Sequence, residues 1–178
     1  MAHISTYSEW VSALDRFGNG DDTAIDELKM ATFKVDAGTA RRFYERIELT
    51  YKKRKQSWLD KFQKSLQFQK TSVENIEMIF RNGKQSLLVL VKFTNLNGLP
   101  DDLKKVLQSD LYDFAEEIKR SMRDRISTHT FREHMSVLLN AFSLPISSPE
   151  APQGSLTKKD EINSFSSGGR KIIFQHGK

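Results

Sequence analysis

Basic side chains are concentrated in one stretch of this 178-residue chain, between Thr39 and Lys70. Residues 41–70 contain ten basic and three acidic side chains, a net charge of +7, while the whole chain carries +5. Lysine and arginine at short intervals on a rigid element can neutralise several phosphates of a nucleic acid and release their counterions. The stretch therefore predicts a phosphate-binding surface made of nine residues. They are Arg41, Arg42, Arg46, Lys52, Lys53, Arg54, Lys55, Lys61 and Lys64.

The same stretch also has an ordinary structural explanation. Its cations could form a solvated outer face supported by pairs within one helix, such as Arg41 with Glu45. Tyr51 or Trp58 would stack on a base only if they were exposed, and their spacing favours burial in a core. Both explanations stay open at the level of sequence.

A second set of residues with chemical potential is the run 123–129, Arg-Asp-Arg-Ile-Ser-Thr-His. Histidine can move a proton near neutral pH, and arginine can hold a scissile phosphate. An arginine, a polar residue and a histidine a few positions later, at a helix end, resemble the signature of the HEPN ribonuclease family. The resemblance implies metal-independent RNA cleavage across a dimer interface, with Arg123 and His129 as the catalytic pair. Without it, the run is an arginine-rich helix end with a surface histidine.

Other kinds of reactive site are not predicted. The chain has no cysteine, which excludes disulfides, thiol catalysis and cysteine-based zinc sites. His129 and His134 lie five positions apart, whereas two metal ligands on one helix face need a spacing of four. Gly18 and Gly20 lack the Lys-Ser/Thr that follows in a nucleotide-binding loop. We therefore expect no cofactor and no metal, and we favour a protein that is not an enzyme.

The element that must position the basic residues is a long helix over 39–70, a stretch without glycine or proline. At 100° per residue its apolar side chains fall on one face. They are Ala40, Tyr44, Ile47, Tyr51, Trp58 and Phe62. Arg42, Arg46, Lys53 and Lys64 fall nearly opposite. The run 52–55 interrupts the apolar face for one turn, which predicts a bend or a local exposure there.

The helices on either side are predicted from caps and apolar stripes. Thr6 with Glu9 predicts a capping box, and Gly18-Asn19-Gly20 ends that first helix. A short second helix ends before Gly38. Pro100 predicts the start of another helix, and a last helix follows from Thr130. The cleanest stripe belongs to the helix after Pro100. Its members are Leu103, Leu107, Leu111, Phe114, Ile118, Met122 and Ile126.

The segment 73–93 is predicted to form a β-hairpin around Asn82-Gly83. Asn-Gly is the strongest short hairpin signal, because both residues tolerate the positive φ of a type I′ turn. Val and Leu are abundant in the second arm, 84–93. The alternative is two helices, with Thr71 and Glu74 as a capping box and Gly83 just after the first helix.

The composition changes at 145, where small and polar residues and the remaining prolines begin. We predict a disordered tail over 145–178 that follows a helical domain over 1–144. The tail ends in a basic and apolar pentad that could add a strand to a partner's sheet, or could be a chain end without a role. The pentad is Arg170, Lys171, Ile172, Ile173 and Phe174.

The sequence thus predicts a mainly α fold, an irregular bundle of about five helices with a β-hairpin at 73–93. Its predicted function is a non-enzymatic module that contacts the phosphate backbone of RNA or DNA through the basic helix. The alternatives are a protein–protein adaptor or homo-oligomeric assembly subunit that meets an acidic surface, and the ribonuclease described above. The N-terminus lacks a secretory signal and no apolar run could span a membrane, so we expect a cytoplasmic, nucleoid or nuclear protein that is not secreted.

Overall fold

Helices account for all the regular structure in the residues that the computed structural model describes, which are 4–31, 35–68, 72–124 and 129–146. Within these ranges there are six helices and no strand. They are α1 (Tyr7–Gly18), α2 (Ala24–Lys29), α3 (Ala40–Phe68), α4 (Val73–Thr94), α5 (Asp101–Asp124) and α6 (His129–Ala141). The prediction of a mainly α fold is confirmed. No helix in the described part of the chain is both long and apolar enough to cross a bilayer.

The long helix α3 lies at the centre of the packing and contacts α1, α4 and α5. Its predicted core face is confirmed in Ile47, Tyr51, Trp58 and Phe62, which are all buried. The buried face is also wider than predicted. Phe43 belongs to it and stacks on Trp10 of α1, with ring centroids 4.1 Å apart.

The predicted β-hairpin at 73–93 is wrong, because α4 is a single helix that continues through Asn82-Gly83. Ser72 caps it by accepting a hydrogen bond from the backbone N–H of Asn75 at 3.3 Å. Gly83 is buried inside α4, where the helix meets α3. The Trp58 indole N–H donates to the Gly83 carbonyl at 3.0 Å, and a Cβ on Gly83 would lie 3.0 Å from the Phe62 ring. The glycine therefore serves close helix packing, and the two-helix alternative is wrong as well.

Local signals predicted the helices α1 and α5 correctly. The capping box of Thr6 and Glu9 is present at the start of α1. In α5, the stripe residues Leu107, Leu111, Phe114, Ile118 and Met122 are buried. Ile126, the last member of that predicted stripe, lies outside the described residues. The two signals depend only on neighbours along the chain, which explains why sequence alone sufficed for them.

The chain divides into two units, Met1–Ser148 and Pro149–Lys178. The six helices all belong to the first unit. Of the predicted disordered tail, only Pro145 and Ile146 are described, and Ile146 packs against the core. The pentad at 170–174 lies outside the described residues, so its role as a partner motif stays a prediction.

Candidate anion-binding surface of helix α3

Three of the nine predicted phosphate contacts are paired with carboxylates from other helices or turns. Arg46 Nη2 lies 3.0 and 2.8 Å from the two carboxylate oxygens of Asp15 on α1. Arg54 forms an ion pair with Asp22, in the turn before α2. Lys55 Nζ lies 2.6 Å from Asp110 Oδ2 on α5. These cations connect α3 to the rest of the bundle, and their charge is already balanced within the molecule.

The run 52–55 interrupts the apolar face less than its composition suggests. The Arg54 side chain is only 12% exposed, and its guanidinium lies 5.2 Å from the centroid of the Phe17 ring. Lys55 Nζ lies 5.3 Å from the centroid of the Phe114 ring. Long basic side chains can cover apolar surface with their stems while the charged end finds a partner. The expected local exposure is therefore confirmed for Lys52 and Lys53 and is wrong for Arg54 and Lys55.

Asp110 binds two groups of α3 with one oxygen. The hydroxyl of Tyr51, a residue that is 1% exposed, donates to Asp110 Oδ2 at 2.7 Å, and the Lys55 ammonium donates to the same atom. Burial raises the pKa of Tyr51 well above its usual value, and the neighbouring Asp110 carboxylate raises it further. Tyr51 therefore stays protonated as a donor, and it is too buried to stack on a base.

Replacing Asp110 with alanine is expected to lower the free energy of unfolding by about 1–2 kcal/mol, because a buried hydroxyl and a half-buried ammonium would lose their acceptor. Asp113→Ala is the matched control, since Asp113 lies one turn after Asp110 on α5, is exposed, and has no side-chain polar partner among the described residues. Urea unfolding followed by circular dichroism measures both. Equal effects of the two substitutions would contradict the role assigned to Asp110.

Four of the predicted contacts are exposed and have no ion pair or hydrogen bond among the described residues. These are Arg42, Lys52, Lys61 and Lys64. Arg41 is 91% exposed and pairs with Glu45 within the helix, as the structural explanation predicted. Lys53 is exposed and donates to the neutral side chain of Asn19 at 2.6 Å, so its charge is not balanced there. The free positive charge of α3 is thus smaller than its composition indicates.

Arg42, Lys53 and Lys64 form one row along α3, which we call the α3 row. At 100° and 1.5 Å per residue, they fall within about 40° of one another and about 16 Å apart along the axis. Arg46 lies in the same sector, but its guanidinium forms an ion pair with Asp15. Lys52 is also exposed, but it lies outside the sector that contains the α3 row. The α3 row is therefore the part of the predicted phosphate-binding surface whose exposed cations lack an ion pair and lie in one sector of the helix.

A groove between α3 and α4 was not predicted. Its volume is about 310 Å³, and small polar side chains line much of it. Those from α3 are Ser57 and Ser65, with Lys61 between them, and those from α4 are Asn82 and Ser86. Trp58 and Phe62 form part of its wall. The four-residue spacing of these polar positions on both helices is the sequence signal that could have indicated a polar groove beside the aromatic core.

The two residues of the ribonuclease hypothesis are not brought together by any described contact. His129 is 87% exposed, and its Nδ1 lies 3.6 Å from Glu133 Oε1 within α6. Arg123 lines a hollow of about 420 Å³ with Asp124 and Arg132, and His129 is not part of that lining. Residues 125–128 lie outside the described ranges. Among the residues that are described, no group of three His, Cys, Asp or Glu side chains is arranged to hold a metal.

The described surface thus offers exposed cations on α3 and a polar groove beside them. A scan against family models and searches of curated proteins and of solved structures find no match to this chain.

Proposed function

We propose that this chain is a non-enzymatic module that binds the phosphate backbone of RNA or DNA through the α3 row. One observation supports the proposal. Arg42, Lys53 and Lys64 are exposed along about 33 Å of one rigid helix and have no ion pair among the described residues, while Arg46 and Arg54 nearby are each paired with a carboxylate. Exposed, unbalanced cations are the ones that gain most from contact with a phosphate, because no internal ion pair is broken.

The contacts are expected to be independent of base sequence. Arginine and lysine of the α3 row would meet phosphates one by one, and Tyr51 and Trp58, the two aromatic side chains considered for base stacking, are buried. Three phosphate contacts predict an affinity that falls about 40-fold between 50 and 200 mM salt. The proposed module is therefore a weak and salt-sensitive binder.

The test is the triple substitution of Arg42, Lys53 and Lys64 with glutamine. Binding of a generic RNA or DNA duplex, followed by fluorescence anisotropy at several salt concentrations, should lose about one unit of salt slope for each residue removed. Glutamine keeps the helix and the approximate size of the side chain. Charge reversal of the whole run 52–55 would be a poorer test, because Arg54 and Lys55 also hold α3 to its neighbours.

A second triple variant gives the matched control. Lys92, Lys105 and Arg120 are exposed, lie on α4 and α5, and have no polar partner among the described residues. Their substitution with glutamine removes the same charge from other helices and should leave the salt slope nearly unchanged. If both triples weaken binding equally, only net charge matters and the α3 row is not a site. If the first triple binds as the unchanged protein does, the proposal is wrong.

A second candidate function is a protein–protein adaptor or homo-oligomer in which α3 meets an acidic protein surface. The observation in its favour is Leu49, which is 67% exposed on the outward face of α3, between the sectors of Arg42 and Lys52. An exposed leucine among cations suits a protein surface better than a row of phosphates. A dimer mass by light scattering that is lost in Leu49→Gln, without retention of nucleic acid, would favour this candidate over the first.

A further inference from the structure

We propose that the groove between α3 and α4 binds a small phosphate monoester, and that it does so independently of the α3 row. The groove has a volume of about 310 Å³. Cavities of this size, with a few convergent polar groups on an apolar wall, are typical of small-molecule sites. The inference does not rest on the proposed nucleic-acid binding.

Several polar groups that line the groove are hydrogen-bond donors without a partner in the described part of the chain. Lys61 is exposed and has no ion pair among the described residues. Ser57 and Ser86 carry hydroxyls, and Asn82 carries an amide, that make no hydrogen bond within the described part of the chain. A phosphate offers several acceptor oxygens and a negative charge, so it satisfies an ammonium, two hydroxyls and an amide together.

The charged residues in the lining bear on the size of the anion. Asp22, in its pair with Arg54, belongs to the lining, so a chain of phosphates that extended toward it would meet a carboxylate. A single phosphate near Lys61 avoids that repulsion. Met78 and Ile79 supply apolar surface on α4 for the rest of the ligand. These features favour a monoester with an organic group over inorganic polyphosphate.

Trp58 provides a local reporter of the groove. Its indole N–H donates to Gly83, and both residues belong to the lining. The chain has two tryptophans, and Trp10 stacks on Phe43 away from the groove. In a nitrogen–proton spectrum of the full chain, a ligand in the groove should shift the Trp58 indole resonance and leave that of Trp10 in place.

The experiment is titration of the full chain with adenosine 5′-monophosphate, ribose 5-phosphate and inorganic phosphate, followed by calorimetry and by the two indole resonances. We expect at least one monoester to bind with a dissociation constant below about 1 mM, and inorganic phosphate to bind more weakly. A preference between the first two probes distinguishes a nucleotide from a sugar phosphate. No heat and no shift of the Trp58 resonance at about 10 mM of any probe would overturn the proposal.

Lys61→Gln and Lys64→Gln form the matched pair of variants. They remove the same charge one turn apart, but only Lys61 lines the groove. Lys61→Gln should weaken monoester binding about tenfold, and Lys64→Gln should change it less than about twofold. Ser86→Leu should fill the groove and abolish binding while α3-row binding of a duplex persists. Equal losses for the two lysine variants, or unchanged binding in Ser86→Leu, would place the anion elsewhere and overturn the assignment.

Discussion

Trp58→Ala is expected to lower the free energy of unfolding by about 3–5 kcal/mol, the largest loss that we expect from a single substitution in this chain. Trp58 is buried and stacks on Phe62 with ring centroids 4.8 Å apart. Its ring lies at 78° to that of Phe114 of α5, with centroids 5.5 Å apart, and its N–H donates to the carbonyl of Gly83 of α4. One side chain of α3 thus contacts two other helices, so its removal leaves a cavity where three helices meet.

Urea unfolding by circular dichroism measures this loss, since the substitution removes a fluorophore. Trp58→Phe is the control, because it keeps most of the aromatic volume and removes the hydrogen bond to Gly83. The phenylalanine variant should lose only about 1–2 kcal/mol. If the alanine variant loses less than the phenylalanine variant, the packing of α3 on α4 and α5 is not as described.

Gly83→Val is expected to lower the free energy of unfolding by about 2–3 kcal/mol, although valine forms helix more readily than glycine does. An added Cβ would lie 3.0 and 3.1 Å from two atoms of the Phe62 ring and 3.4 Å from Trp58. The Phe62 ring has little room to move away, because Trp58 stacks on it. Phe80 also packs against it nearly at right angles, with ring centroids 5.5 Å apart. The γ-methyls of valine would add to this overlap.

The matched control for Gly83→Val is Gln85→Val, which puts the same β-branched side chain at an exposed position of α4. It should change stability by no more than about 0.5 kcal/mol. Thermal and urea unfolding of the two variants give the comparison. A Gly83→Val protein as stable as the unchanged chain would mean that α3 and α4 do not approach closely at this point.

These substitutions also show why sequence alone misassigned α4. A glycine after an asparagine indicates a hairpin turn when only neighbours along the chain are considered. In the folded chain, Gly83 is required by Phe62 and Trp58, which lie more than twenty positions earlier. No local rule separates a glycine that allows a turn from a glycine that allows two helices to touch. The capping box of α1 and the stripe of α5 involved no such distant partner, and both were predicted correctly.

The candidate site was predictable to a similar extent. Composition and periodicity placed the cations on the outward side of one helix, and Arg42, Lys53 and Lys64 are exposed as expected. They could not indicate that Arg46 and Arg54 meet carboxylates that lie 31 and 32 positions away. The polar groove could not be predicted for the same reason, since its lining depends on the register in which α3 packs against α4.

Asp15 and Asp22 act toward α3 as tethered counterions. A group that is held on the same folded chain competes at a high effective concentration, in the millimolar range even for a short flexible tether. A dissolved anion at micromolar concentration therefore displaces neither carboxylate from Arg46 or Arg54. Dilute polyanions therefore contact α3 through those of its cations that have no carboxylate partner, and Arg46 and Arg54 serve the packing of α3 on its neighbours instead.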